Sequence, residues 1–165
     1  MKSLTREELA NLLNTAPEPD RLMLLVCFNH GLRVSEVINL DASNIVDGHL
    51  VVQRLKKSRK TTQPLLPDEK DGLLALAQKS GKFFPMSRWT ADRRIKEYGK
   101  RAGLPEHLLH MHSLKHSCGR LGFKGGMSIP DLQRYLGHVN GGNTLIYLES
   151  DEREASAAFA AAMGK

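Results

Sequence analysis

The sequence predicts an α+β domain that is mostly helical and contains one small antiparallel three-stranded sheet. Most of the chain has apolar residues at helical spacing, together with residues that typically begin or end helices. A single region, from Asn44 to Leu66, has short apolar runs around an Asp-Gly turn and a basic stretch, which is typical of strands. The 165 residues, of which 41% are hydrophobic and 25% charged, suit one domain with its own core.

The N-terminal segment predicts two helices, the second of them central. Thr5 followed by Glu8 has the spacing of a capping box, so a first helix begins there. The segment from Arg21 to His30 is apolar on nearly all sides, which favours a central helix, and Gly31 is a natural C-terminal cap. Arg33 follows directly, at the start of a short helix. The sequence therefore places an arginine beside a rigid, buried support.

The strand region predicts a hairpin followed by a third strand. Asp47 and Gly48 separate the runs NIV and HLVV and favour a type I′ turn, and TTQPLL provides the third strand. The stretch from Arg54 to Lys60 holds five cations in seven residues, which either contact phosphates or form a solvated loop. Its candidate nucleic-acid contacts are Arg54, Lys57, Arg59 and Lys60.

A longer basic helix is predicted across SRWTADRRIKEYGKRAG, after a helix from Pro67 to Gln78. Its cations lie largely off the buried face. The exposed basic face of the helix either lies along a polyanion or is simply solvated. The predicted buried residues are Ala91, Ile95, Tyr98 and Ala102. The candidate contacts on the basic face are Arg93 and Arg94.

The C-terminal part predicts one capped helix, one short helix and a tail. Ser128 and Asp131 give the start of the first helix and Gly137 its end, so His138 lies just past a helix terminus. Two glycines then precede the short helix that carries Tyr147. The tail from Ser150 to Lys165 begins acidic and becomes alanine-rich, as in a weakly amphipathic helix.

The overall charge favours a polyanionic partner. The net charge is +6 at pH 7 and the pI is about 9.5, although a basic protein without such a partner has the same composition. The longest apolar run, Leu22 to Phe28, is far too short to cross a bilayer, and no secretory signal follows MKSLTREE. Cys27 and Cys118 are isolated, as reduced thiols usually are. We therefore expect a cytoplasmic protein without membrane contact.

The segment from His112 to Tyr147 combines groups that suit phosphoryl chemistry. His112 and Lys115 are one helical turn apart, and His138 and Tyr147 follow. A phenol that attacks a phosphodiester needs cations on the non-bridging oxygens, an acceptor for its proton and a donor for the leaving oxygen. A bidentate guanidinium, which phosphate groups usually require, is supplied upstream by Arg33.

A cluster of histidines offers a competing interpretation, a zinc site. Four histidines fall within ten residues: His107, His110, His112 and His116. No HExxH glutamate or cysteine pair accompanies them, and Cys118 cannot complete a ligand set on the same helix. We therefore expect no metal and no other cofactor.

Five separated motifs resemble the tyrosine recombinase (phage integrase) family in their order and spacing. They are Arg33 in GLRVSEV, a lysine in RLKKSRKTTQPLLP, HSLKHSCG, YLGH and the final Tyr147. Within the family, RLKK followed by TTQPLL, and HSCG, look most like the fimbrial phase-variation recombinases. The resemblance covers nearly the whole chain. It implies one catalytic domain over residues 1–165, without the N-terminal core-binding domain of many integrases, so that the chain is either a fragment or a compact enzyme.

The resemblance implies a metal-free site-specific recombinase, bacterial or phage-encoded and associated with the nucleoid. Its partner would be a double-stranded DNA recombination site. Tyr147 would attack a scissile phosphate to give a 3′-phosphotyrosine, and the pentavalent transition state would be stabilised by Arg33, His112, Lys115 and His138. In this family the tail docks into a neighbouring protomer, so the C-terminal residues imply a homotetramer on synapsed DNA.

Two positions leave alternatives open. A hairpin lysine protonates the leaving 5′-oxygen in this family; Lys56 matches that role, and the neighbouring Lys57 stays an alternative. Lys115 stands where the family normally has arginine, and lysine keeps the charge but loses the planar fork. One alternative function is therefore a catalytically impaired DNA-binding regulator. A second is an enzyme that shares the chemistry but only relaxes DNA, like a type IB topoisomerase.

Overall fold

The computed structural model describes residues 3–55, 58–148 and 152–164. It confirms the predicted class, because helices dominate and the strands form one antiparallel sheet of order β1-β2-β3. The helices are α1 (Arg6–Thr15), α2 (Asp20–His30), α3 (Val34–Val37), α4 (Pro67–Ala77), α5 (Arg88–Arg101), α6 (His112–Lys124), α7 (Ile129–Leu136), α8 (Gly142–Leu145) and α9 (Glu152–Ala162). The strands are β1 (Ile45–Val46), β2 (His49–Val52) and β3 (Thr61–Pro64).

Helix α2 lies at the centre of the fold, where it contacts α1, α3, α4 and α6. Its apolar side chains from Leu22 to Cys27 are all buried, as the sequence predicts for a helix that is apolar on nearly all sides. The helix ends at Gly31, whose φ of 60° is left-handed. A second, smaller apolar cluster contains Leu132, Leu136 and Tyr147. Within the described part of the chain, no helix has the length and apolar character to cross a membrane.

The predicted helix boundaries are set by local hydrogen bonds. The Thr5 hydroxyl accepts from the Glu8 N–H at 3.1 Å, and the Glu8 carboxylate accepts from the Thr5 N–H at 2.8 Å. The Ser128 hydroxyl accepts from the Asp131 N–H at 3.2 Å at the start of α7. Gly137 ends that helix with a φ of 71°.

The hairpin has the predicted turn. Asp47 and Gly48 have φ values of 50° and 75°, and both are positive, as type I′ requires. Strand β3 pairs with β2 but ends at Pro64, two residues earlier than predicted, because α4 begins at Pro67 and the intervening residues connect the two elements. The hairpin lysines Lys56 and Lys57 lie outside the described residues.

Candidate active site

Arg33 is fixed at the junction between α2 and α3. Its backbone N–H donates to Glu36 Oε2 at 2.8 Å, and its Nη1 donates to Glu36 Oε1 at 3.1 Å. Nη1 also donates to the carbonyl oxygen of Leu55 at 3.2 Å. With a side chain that is 22% exposed, Arg33 remains at the surface. The carboxylate of Glu36 therefore orients the guanidinium without covering it.

Arg33 lines a cleft of about 590 Å³. His112, the first residue of α6, lines the same cleft and is exposed. Its ring lies edge to face with that of His116, with centroids 4.3 Å apart and planes at 87°. The cleft is completed by Val34, Ser35, Leu55, Arg88, Asp92, His110 and Met111. Two of the predicted phosphate-binding groups, Arg33 and His112, thus face one cavity.

Lys115 follows one turn later on α6, but its residue is only 3% exposed. Its Nζ donates to the carbonyl oxygen of Gly31 at 2.7 Å. This carbonyl lies just past the C-terminus of α2, where carbonyls lack helical partners and the helix dipole favours a cation. Burial and then the cation of Arg54 lower the pKa of Lys115 to about 8, although Glu36 opposes the shift. The ammonium is therefore held inside the protein.

His138 is also buried, at 5% exposure, directly after α7. Its Nδ1 lies 2.8 Å from Thr144 Oγ1 on α8, which fixes the ring. Burial, followed by the charges of Lys115 and Arg33, lowers the pKa of His138 to about 4. The imidazole is therefore neutral at pH 7, and its other nitrogen can act in hydrogen bonding or in proton transfer.

Tyr147 lies on the short 3₁₀ turn Ile146–Leu148 and is 1% exposed. Its ring packs directly on Gly119 of α6, where a Cβ atom would come within 2.3 Å of the Tyr147 Cζ. Arg120 Nη1 donates to the Tyr147 carbonyl oxygen at 2.8 Å, which ties the turn to α6. Burial raises the pKa of Tyr147 to about 12, so the phenol is protonated at neutral pH.

Several of the predicted DNA contacts lie on the surface. Arg59 and Lys60 of the hairpin are exposed. Arg93 of α5 is exposed as well, and its guanidinium carbon lies 5.3 Å from the ring centroid of Trp89. Trp89 is itself 71% exposed. Arg88, the residue before Trp89, lines the cleft. The pair formed by Arg93 and Trp89 therefore lies close to the rim of the candidate site.

Arg54 requires a correction because its side chain is buried, whereas Arg94 is partly exposed and pairs with a buried carboxylate. The side chain of Arg54 is fully buried and pairs with Glu36 at 3.1 Å. Arg94 pairs with the buried Asp20 at 2.8 Å and keeps a side-chain exposure of 36%. The predicted DNA contact therefore does not fit Arg54, and for Arg94 it competes with an internal ion pair.

The described residues contain no group of three or more His, Cys, Asp or Glu side chains placed to hold a metal ion. Of the four clustered histidines, His110 and His112 line the cleft. His116 instead faces Tyr147, with ring centroids 6.3 Å apart. Burial, followed by His112, lowers the pKa of His116 to about 4.

The sequence matches the family model described as the phage integrase family over residues 2–154. The chain belongs to this family. Among its relatives, the type 1 fimbriae regulatory protein FimB of Escherichia coli K12 is 35% identical over 169 residues, covering 90% of this chain and 84% of FimB. Tyrosine recombinase XerA of Pyrococcus furiosus is also 35% identical, over 88% of this chain and 56% of XerA. The chain thus spans little more than half of XerA.

Solved structures of an integrase and of a site-specific recombinase share the fold. The catalytic domain of bacteriophage HP1 integrase superposes with a TM-score of 0.74 at 23% identity, covering 96% of this chain and 95% of that domain. The XerH site-specific recombinase, solved with its difH substrate before cleavage, gives a TM-score of 0.77 at 18% identity, covering 96% of this chain and 53% of XerH. The predicted tyrosine recombinase fold is confirmed.

Sequence reasoning missed Gly119 and gave Arg54 a role that differs from the one its contacts indicate. Gly119 leaves room for the Tyr147 ring, and the available signal was a glycine inside a helical pattern, which usually has a packing reason. The sequence predicts a surface position for Arg54 because it begins a stretch with five cations in seven residues. No local signal shows that its partners are Glu36 and the end of α2.

Proposed function

We propose that this chain is the catalytic domain of a site-specific DNA recombinase that cleaves and rejoins DNA through a 3′-phosphotyrosyl intermediate. One observation carries the proposal: Arg33 and His112, from distant segments of the chain, line one open cleft. Lys115 follows His112 by one turn on α6, and its Nζ donates to the carbonyl oxygen of Gly31, two residues before Arg33. Residues from distant segments are therefore held together next to a cleft that can admit a phosphate.

In the proposed reaction, the Tyr147 oxygen forms a bond to the scissile phosphorus as the bond to the 5′-oxygen breaks. Arg33 and Lys115 neutralise the charge that develops on the non-bridging oxygens. His112 takes the phenolic proton, and His138 donates a hydrogen bond to the phosphate. The leaving oxygen takes a proton from Lys56, with Lys57 as the alternative donor. Religation reverses these steps with a 5′-hydroxyl of a partner strand.

The proposal extends to assembly on DNA. The partner is a double-stranded recombination site, and four copies act together through the C-terminal tail. The tail helix α9 supports this, because its Phe159 is 64% exposed and Met163, just beyond it, is 53% exposed. Such apolar side chains favour a partner surface. Recombination of genomic DNA implies that the protein acts in the cytoplasm of its cell, at the nucleoid.

The test is covalent trapping on nicked DNA. The protein is incubated, with EDTA and without metal, with duplexes that carry a randomised core and a single nick, which lets the cleaved fragment diffuse away. Covalent adducts are isolated by denaturing electrophoresis, and their DNA is sequenced. We expect an adduct that is enriched in one pair of inverted half-sites and is absent from Tyr147→Phe.

The other tyrosines provide matched controls. Tyr98 donates a hydrogen bond to Asp20, and Tyr135 donates one to the carbonyl oxygen of Asn29. Both hydroxyls are thus engaged in packing, and Tyr98→Phe and Tyr135→Phe should still form the adduct. An adduct that persists in Tyr147→Phe, or disappears equally in all three variants, would contradict the assignment of the nucleophile.

A catalytically impaired DNA-binding regulator is the second candidate, favoured by the burial of Lys115. DNA binding can be followed through Trp89, the only tryptophan of the chain. It is 71% exposed beside a basic surface, so bound DNA should quench its fluorescence. Binding without adduct formation in the wild type, together with an adduct in Lys115→Arg, would establish the regulator. Adduct formation by the wild type would exclude it.

A further inference from the structure

Arg54 occupies the centre of a buried polar network. Its Nε donates to Thr61 Oγ1 at 2.8 Å, and its Nη2 donates to the carbonyl oxygen of His30 at 2.7 Å. Its Nη1 donates both to the carbonyl oxygen of Gly31 at 3.0 Å and to Glu36 Oε2 at 3.1 Å. The planar guanidinium thus uses N–H groups on all three of its nitrogens, which the single nitrogen of a lysine cannot do.

Two of these partners also hold candidate catalytic groups. Glu36 accepts hydrogen bonds from the backbone and the guanidinium of Arg33. The carbonyl oxygen of Gly31 accepts from Lys115 Nζ as well as from Arg54. Arg33 and Lys115 lie on different elements and are predicted to bind the same phosphate. Each is separated from Arg54 by a single shared acceptor.

The same guanidinium fixes the basic loop that connects β2 and β3. Arg54 follows β2, and its bond to Thr61 joins it to the start of β3, across the loop that contains Lys56. The Leu55 N–H donates to Glu36 Oε1 at 3.1 Å, so the residue before that lysine is tied to the acceptor that orients Arg33. The position of the hairpin therefore depends on the same pair, Arg54 and Glu36.

Arg54 also contacts the segment that carries His138. A Cβ atom on Gly137 would lie 2.9 Å from Arg54 Cγ, so the two residues are closely packed. The Gly137 carbonyl accepts from the Arg59 N–H at 2.9 Å, which joins the end of α7 to the hairpin at the same place. His138 is the next residue along the chain.

The charge of Arg54 is balanced within the network. Burial raises the pKa of the Glu36 carboxyl, but the N–H of Arg33 and the cation of Arg54 outweigh it and hold this pKa below its usual range. The carbonyls of His30 and Gly31 lie at the negative end of α2. A buried ion pair that loses one partner leaves an uncompensated charge, so Arg54 cannot be removed without consequences for Glu36.

We infer that Arg54 is a positioning residue of the active site, where one buried guanidinium fixes Arg33, Lys115 and the segments that carry Leu55 and His138 relative to one another. This inference rests on the proposed function, because it assigns a role within that reaction. Arg54 acts on the reaction through Glu36 and Gly31 and touches no DNA.

The test compares Arg54→Met and Arg54→Lys with Arg21→Met. Arg21 is a matched control, because it also pairs with a glutamate, Glu18, but its side chain is 40% exposed. Single-turnover cleavage at saturating DNA should fall about 100-fold in Arg54→Met, the loss expected when reacting groups shift by roughly 1 Å. Arg54→Lys should recover part of that loss. The dissociation constant for DNA, measured by Trp89 fluorescence, should change less than about threefold, and Arg21→Met should behave as wild type.

The pH dependence separates positioning from general loss of structure. The Arg54 cation lowers the pKa of Lys115 and Glu36 raises it, so removing Arg54 should raise the pKa of Lys115 above about 8. The alkaline limb of the pH–rate profile of Arg54→Met should therefore move to higher pH. NMR titration of the Lys115 side chain in DNA-free protein should show the same shift. Thermal unfolding of each variant identifies the temperature at which all are folded.

The outcomes are distinguishable. An unchanged cleavage rate in folded Arg54→Met, or a loss of DNA affinity in place of the loss of rate, would overturn the positioning role. If Arg54→Met does not fold, Arg54→Lys must show the lower rate, and the wild-type rate in that variant would overturn the inference. If the wild type forms no adduct, the proposed function fails, while the Lys115 titration in Arg54→Met still reports whether the network controls that side chain.

Discussion

The candidate site has two halves that differ in their access to solvent. The cleft half, Arg33 and His112, lines the open cavity. The interior half, Lys115, His138 and Tyr147, is 3%, 5% and 1% exposed. Burial shifts the pKa values of the interior half, whose groups lie away from solvent. The cleft half can therefore bind a phosphate, and the interior half makes the subsequent chemistry depend on pH and packing.

The largest effect is expected from the cleft half. Arg33→Met removes the partly exposed guanidinium that Glu36 orients at the cleft, and should lower single-turnover cleavage by about 100- to 1,000-fold. Because the Arg33 cation contributes to lowering the pKa of Lys115, its removal should also move the alkaline limb of the remaining activity to higher pH. Cleavage of the trapped substrate at several pH values measures both quantities. A loss below tenfold would mean that the cleft half is not the principal phosphate clamp.

The next effect distinguishes the interior half by its pH dependence. Lys115 has a pKa of about 8, so its charged form predominates below that pH and is lost as the pH rises through it. Cleavage should therefore fall about tenfold per pH unit above pH 8. Lys115→Arg replaces the titrating ammonium with a group that stays charged, and should abolish this limb. If the cleavage rate of Lys115→Arg falls above pH 8 as it does in the wild type, another residue is responsible for the titration.

A smaller effect tests the packing of Tyr147. Gly119→Ala places a methyl group against the Tyr147 ring and should reduce the free energy of unfolding by about 1–3 kcal/mol. Gly122→Ala is the control on the same helix, because its nearest contact, Met127 Sδ at 3.2 Å, belongs to a flexible side chain. That substitution should be neutral or stabilising. Urea denaturation of both variants measures the difference, and equal effects would show that Tyr147 does not depend on Gly119.

The smallest effect concerns stability in acid. His116 and His138 have pKa values of about 4, below the 6.5 of an unfolded histidine. Between these values the unfolded chain binds more protons than the folded one, so stability should fall as the pH decreases from about 6.5 to 4. His138→Gln should flatten this dependence in urea titrations. A pH dependence that is unchanged in this variant would mean that His138 is accessible to protons in the folded state.

The fold was predictable because its signals are local. The capping box at Thr5, the glycine that ends α2 and the Asp-Gly turn are each read from a few neighbouring residues, and each has the predicted structure. The division of the candidate site into an open half and a buried half was not predictable. Lys115 is buried because it reaches the Gly31 carbonyl oxygen, and that partner is 84 positions away in sequence.

The basic stretches illustrate the same limit. Arg54 and Arg59 belong to one run of cations, yet the first is buried and the second is exposed. The difference depends on Glu36, which lies 18 positions before Arg54. A count of charges predicts affinity for a polyanion, but it does not show which cations are used internally. On α5, Arg94 pairs with Asp20 while Arg93 remains on the surface.

Gly31 has a consequence for how such a domain can change by mutation. Its φ of 60° disfavours any side chain, and a Cβ atom would come within 2.4 Å of Leu136 Cδ2. Its carbonyl oxygen meanwhile accepts from both Arg54 and Lys115. In a library of random substitutions, position 31 should therefore tolerate almost no replacement, although it contributes no side chain to the reaction. Sequence drift in descendants of this domain is therefore constrained at position 31 by backbone shape and not by side-chain chemistry.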